Sequence, residues 1–240
     1  MLVRLVRLAI LALALALSLP AAARADALTE FNAAVEQAAA HNRAAIGYLR
    51  TGNADLADVE LDRLRQAWQE VLAHKRPPVF DAKLYVRALT DISMRLVTAD
   101  MLLNSGRPDN ARLSLTAIRN DLYDLRKSAH VEVLADCVRD AGEAMDALMA
   151  FDKVDLDLSR PGVAADLAAK TEAYKGIIAR CDGMAAPKVR QEPDFRRLID
   201  GAVASLMLIP KAIETHDAGL VHRVLGELRA LDNLLAFRFG

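Results

Sequence analysis

One phrase recurs between Phe31 and Gly240: the apolar end of a helix, a turn, then a second apolar helix closed by a basic residue. Leu49, Gly52, Ala57, Leu61 and Leu64-Arg65 make the first copy, and Leu103, Gly106, Ala111, Leu115 and Ile118-Arg119 the second. Val221, Leu225 and Leu228-Arg229 make a shorter third, without the leading Gly, and Leu167, Thr171 and Tyr174-Lys175 a weaker fourth. Arg119 follows Arg65 by 54 residues, and Arg229 follows Arg119 by 110, about twice that. A chain written this way is a series of helical hairpins, with apolar residues at helical spacing throughout. The 54-residue step does not fit a tetratricopeptide solenoid, whose repeats run near 34 residues.

Eight helices are expected, at about residues 28–51, 54–74, 82–104, 109–130, 133–151, 162–181, 195–216 and 220–237. Gly52-Asn53 and Ser105-Gly106-Arg107-Pro108 are turns, and Asp81 and Asp194 stand where N-caps belong. Arg76-Pro77-Pro78 stops the second helix, since proline lacks the amide hydrogen and disfavours helix just before it. The stretch from Asp109 to Phe151 carries no Gly-Pro break, but short polar and β-branched residues at Ser128–Val131 predict a break or bend there. Asp182–Pro193 holds two Pro and one Gly and reads as a linker, and Pro210 predicts a kink. Four hairpins of about 55 residues make an all-α chain of two tandem four-helix bundles, residues 26–130 and 131–240.

The amino terminus predicts export. Arg4 and Arg7 precede an apolar run, Leu8–Leu19, and Ala23-Arg24-Ala25 is a small-x-small cleavage site, so residues 1–25 read as a signal peptide removed after Ala25. That run is short for a membrane span, and the mature chain is expected without one, in the periplasm of a Gram-negative source. Losing the leader removes three Arg and leaves 28 basic against 32 acidic residues, a net charge of −4. This balance argues against nucleic acid and anionic membranes as partners.

Asp194-Phe195-Arg196, Ile199-Asp200, Ile213, Gly219-Leu220-Val221 and Glu227-Leu228-Arg229 share a register that resembles the C-terminal hairpin of the soluble four-helix-bundle cytochromes, the cytochrome c-prime family and its non-covalent b-type relative. The similarity covers about 45 residues well and each half loosely. It implies a bundle fold for each half. The c-type members attach haem through Cys-x-x-Cys-His near the end of the last helix, where this chain has Leu234-Leu235-Ala236-Phe237-Arg238. The b-type histidine falls in register with Ala236, and in the first half with Arg126, one turn before His130. The resemblance therefore implies a duplicated member without haem or other cofactor.

Few residues are candidates for chemistry. The cysteines, Cys137 and Cys181, lie equally far from residue 159, inside the loop between the fifth and sixth helices, so an antiparallel hairpin brings them face to face as a disulfide. The alternative is two free thiols, or a soft-metal set of Cys181, Met184, Cys137 and Met145, with Met149 beside them. His216 and His222 flank one turn, and no Glu-x-x-His pair exists for a di-iron bundle. Ser114, Ser128 and Ser205 have no nucleophile elbow, and Asp55, Asp58, Glu60 and Asp62 read as a solvated face. The expected function is a non-enzymatic exported binding or scaffolding module, companion to another exported protein, with oligomerisation left open. The alternative is a haem or copper carrier with non-standard ligands such as His130 or the Cys/Met group.

Overall fold

The computed structural model describes residues 27–153 and 155–240. The leader at residues 1–25 and its cleavage after Ala25 lie outside the described residues. Within them, every regular element is a helix: α1 (27–50), α2 (Ala54–Ala73), α3 (Ala82–Asn104), α4 (Pro108–Ser128), α5 (Leu134–Met149), α6 (Pro161–Met184), α7 (Pro187–Arg190), α8 (Pro193–Leu206), α9 (Ile209–Glu214) and α10 (Ala218–Phe239). The chain divides into two compact units at Val131/Glu132, inside the gap between α4 and α5.

Local chemistry sets the helix ends. Asp81 accepts hydrogen bonds from the backbone amides of Lys83 (2.9 Å) and Leu84 (3.0 Å), which satisfies two of the unpaired donors at the start of α3. Pro108 opens α4 at its first turn, Asp109 follows it, and Arg126 and Lys127 close the helix, each charge matched to the helix dipole. Four helices end in the same Schellman turn, with one residue left-handed and its successor bonded back across six residues. The left-handed residues are Gly52, Gly106, His130 and His216, with φ of 77°, 70°, 54° and 52°. The closing bonds are Asn53 N to Tyr48 O (2.9 Å), Arg107 N to Leu102 O (2.8 Å), Val131 N to Arg126 O (2.9 Å) and Asp217 N to Ala212 O (2.8 Å).

In the first unit, α1–α4 share one core that includes Phe31, Leu61, Leu64, Trp68, Ile92 and Leu115. Each such side chain contributes roughly 1.5–3 kcal/mol by leaving water. Phe31 packs against Phe80 and Tyr85 with ring centroids 5.6 Å away in both cases. Trp68 donates its indole hydrogen to Ser93 Oγ (3.0 Å), and Asn42 of α1 donates to the Leu115 carbonyl of α4 (3.1 Å). In the second unit, α5, α6, α8, α9 and α10 enclose another core built on Met145, Leu148, Leu167, Tyr174, Phe195 and Leu225.

Two expectations need correction. Asp182–Pro193 is not an open linker: α6 continues to Met184 and α7 occupies Pro187–Arg190. Arg190 explains the extension, because its guanidinium donates to the carbonyls of Asp182 (2.9 Å), Gly183 (2.6 Å) and Ala185 (3.1 Å), the unpaired acceptors at the end of α6. The expected seventh helix is broken rather than kinked. Pro210 has no amide hydrogen for the Leu206 carbonyl, and its ring crowds that carbonyl, so α8 stops at Leu206 and α9 restarts at Ile209.

The two units share one register without gaps. Shifting the numbering by 110 places every buried apolar residue of α2, α3 and α4 on a buried residue of α6, α8, α9 or α10, and Phe31, Val35 and Ala38 of α1 on buried residues of α5. Phe31 and Val35 fall on Ala141 and Met145, Leu64 and Trp68 on Tyr174 and Ile178, and Tyr85 and Leu96 on Phe195 and Leu206. Leu115, Leu122 and Leu125 fall on Leu225, Asp232 and Leu235. Gly106 falls on His216, so the third copy of the repeated phrase keeps its turn with histidine in the place of glycine.

Candidate functional site

The most exposed apolar surface of the first unit lies on α3. Val86, Met94, Val97 and Met101 recur at helical spacing, with Thr90 between them, and all point away from Tyr85, Leu89, Ile92, Leu96 and Ala99, which fill the core. α3 is held by its neighbour. Arg95 forms a two-pronged ion pair with Asp121 of α4 (2.5 and 3.1 Å), and Ser114 of α4 donates to the Arg95 carbonyl (3.0 Å). The hydrogen bonds to Asp121 hold the Arg95 guanidinium above its usual pKa, against the effect of burial. Between the helices runs a groove of about 320 Å³ lined by Leu84, Ala88 and Leu125 with Arg87, Asp91, Asp121 and Asp124. A surface of this kind, apolar along one helix and charged along its border, can bind a complementary helix face.

The second unit buries a polar cluster. Tyr174 of α6 is fully enclosed, and burial first, then the Asp232 carboxylate beside it, push the phenol well above its usual pKa. Asp232 of α10 is itself buried, lies 3.7 Å from Arg229, and abuts Gly142 of α5, where a Cβ would come within 3.9 Å of Oδ2. Arg229 continues to Asp146 at the surface (2.5 Å). A neutral phenol and a carboxylate opposed by a guanidinium make a closed charge balance across three helices. Sequence reading passed over this cluster. Its one legible sign was an Asp three residues after the repeated Arg229, at a helix position that is apolar in the other half.

The other candidates separate. Cys137 and Cys181 are joined across α5 and α6 with Cα atoms 5.4 Å apart, and both are buried. The soft-metal set of Cys181, Met184, Cys137 and Met145 therefore has no thiolate to offer: both sulfurs are bonded to each other, Met145 is buried in the core two turns along α5, and Met184 ends α6. Among the described residues no three His, Cys, Asp or Glu side chains converge as a metal site. His130 is exposed past the end of α4, Arg126 is buried in its last turn, and Ala236 is half-buried on α10. His216 forms a turn, while His222 bonds Asp152 (2.7 Å), so the two do not act as one pair. Asp55, Asp58 and Asp62 are exposed, as a solvated face requires. Glu60 differs: burial pushes its carboxyl up, but hydrogen bonds from His41 (2.7 Å) and Arg63 (2.6 Å) outweigh this and leave it below its usual pKa.

Compared with protein-family models, with curated proteins and with solved structures, the chain matches none. Among the described residues no helix is long and apolar enough to cross a membrane.

Proposed function

We propose that this chain is a non-enzymatic, exported binding or scaffolding module, and that the outer face of α3 is the surface it uses. One observation carries the reading: Val86, Met94, Val97 and Met101 are between 50% and 62% exposed on one helix face, opposite a well-filled core. Large apolar side chains arranged this way gain stability only when something covers them. A disulfide between α5 and α6 agrees with an oxidising compartment. Each unit is read as a four-helix bundle of the cytochrome c-prime kind that carries no haem, and a place beside a periplasmic redox or metal system follows from that fold analogy alone.

The test is a photo-crosslinking side chain placed at Val97 in the exported protein, with Lys211, the second unit's counterpart of Met101, as control. A discrete adduct at Val97 that vanishes with Met94→Lys is expected, on a chain whose first residue is Asp26. Equal labelling at the two positions, or a chain retained in the cytoplasm with its leader, overturns the reading.

A further inference from the structure

We propose that the outer face of α3 is where two copies of this chain meet, with their α3 helices antiparallel about a two-fold axis passing near Met94. The inference rests on the reading of this face as a binding surface and goes further by naming its occupant.

The second unit serves as an internal control. The buried apolar positions of α2, α3 and α4 all fall on buried residues across the 110-residue shift, so the fold makes the same demands on α3 and on its counterpart, α8 and α9. Most outer positions do not match, the exception being Val97, which falls on the exposed Met207. Val86, Met101 and Leu113, all large and exposed, fall on Arg196, Lys211 and Arg223, and Met94 falls on Ala204. Charged and small side chains are thus compatible with this helix in this fold, and the apolar face of α3 serves something other than folding.

The pattern of that face selects a second copy. Its residues stand at 86, 90, 94, 97 and 101, steps of four, four, three and four, which is the seam of a two-helix contact about 22 Å long at 1.5 Å per residue. Read antiparallel, the seam is self-complementary. Val86 meets the partner's Met101, Thr90 meets the partner's Val97, and Met94 meets its own counterpart at the axis. This is the symmetric, closed arrangement that most soluble dimers use. The charges agree with it. Lys83 continues the seam at the amino end of α3 and is exposed, while the last turn of α3 contains no basic residue. Antiparallel pairing carries Lys83 of each copy to the carboxyl end of the other's α3, where a cation is favourable. In the second unit Arg196 and Lys211 would set positive charge against positive charge, so the pairing is specific to the first.

The experiment is sedimentation velocity on residues 26–240 over a concentration series, with Met94→Lys, Met94→Glu and an equimolar mixture of the two. Met94 is 61% exposed, so neither change disturbs the core, and circular dichroism melting verifies this. The wild type is expected to pass from monomer to dimer. Each variant alone weakens dimerisation at least tenfold, since like charges meet at the axis, and the mixture recovers a dimer. A wild type that stays monomeric at every concentration, a dimer indifferent to both substitutions, or a mixture that fails to re-pair overturns the two-fold. If the wild type is monomeric while Val97 still crosslinks a different exported protein, self-pairing falls and the binding reading stands.

Discussion

The two units keep the same buried register yet stabilise it differently. In the first, α1 runs as one helix from residue 27 to residue 50 and packs along its length through Phe31, Val35, Ala38, Ala45 and Leu49. In the second, the matching helix α5 stops at Met149, and the counterparts of Ala45 and Leu49 are Asp155 and Ser159, both exposed in a loop. The second unit has lost the apolar half of a helix. It has a disulfide from Cys137 to Cys181, where the first has Ala27 and Val71, and a Tyr174–Asp232–Arg229 cluster, where the first has Leu64, Leu122 and Arg119. The comparison teaches that one arrangement of core positions can be stabilised by contact area or by a covalent link with polar specificity.

The largest effect should come from reduction. The disulfide closes a loop with a sequence separation of 44, and the chain-entropy relation gives about 4 kcal/mol of stabilisation. Cys137→Ser, or a reducing agent, should lower the melting temperature of the second unit by several degrees and leave the first unchanged. Denaturant unfolding followed separately by Trp68 fluorescence, which reports only the first unit, and by helical circular dichroism checks this. Parallel shifts in both signals would break the comparison by showing that the units unfold as one.

The polar cluster comes next. Asp232→Leu restores the residue type found at Leu122 but leaves the Tyr174 hydroxyl buried without its neighbour, a cost of about 1–3 kcal/mol. The double change Asp232→Leu with Tyr174→Leu should regain most of that loss, measurable as a double-mutant cycle. Alkali offers a second reading. Folding raises the Tyr174 pKa, so the neutral phenol is favoured in the folded state; its contribution is complete below the unfolded value near 10 and disappears as pH rises toward the folded value. Wild-type stability should decline above about pH 10, and Tyr174→Phe should flatten that decline.

The smallest effect concerns one turn. His216 occupies the left-handed position that Gly106 fills in the first unit, and a side chain there costs about 1 kcal/mol. His216→Gly should raise the stability of the second unit by that amount, and Gly106→His should lower the first by a similar amount. Equal and opposite shifts in denaturation midpoint would sharpen the equivalence of the two turns.

Much of this architecture was legible in the residues. Helical spacing located the helices, glycines marked two of the four Schellman turns, and the weak break at Ser128–Val131 is where α4 ends. The equal distances from residue 159 brought Cys137 to Cys181. What stayed hidden depends on partners far along the chain. Arg190 reaches back to carbonyls at residues 182–185, so a Pro- and Gly-rich stretch that looks like linker is ordered into helix. Histidine gives no local sign of a left-handed turn, so His216 could be recognised only by register. Asp232 looks like a surface acid until Tyr174 and Arg229 are folded beside it. The α3 face was invisible for another reason: Val86, Met94 and Met101 look like core residues until the other side of the helix is seen to be full.

The disulfide also changes what a protease can do to this chain. Cys137 and Cys181 stand together at the end of the α5–α6 hairpin opposite the loop that joins the two helices, and that loop offers trypsin Lys153, while Pro161 shields Arg160. A cut there separates the backbone into two pieces without separating the molecule. The fragments stay tethered across the hairpin, migrate as one species until a thiol is added, and retain the tether that holds α5 against α6.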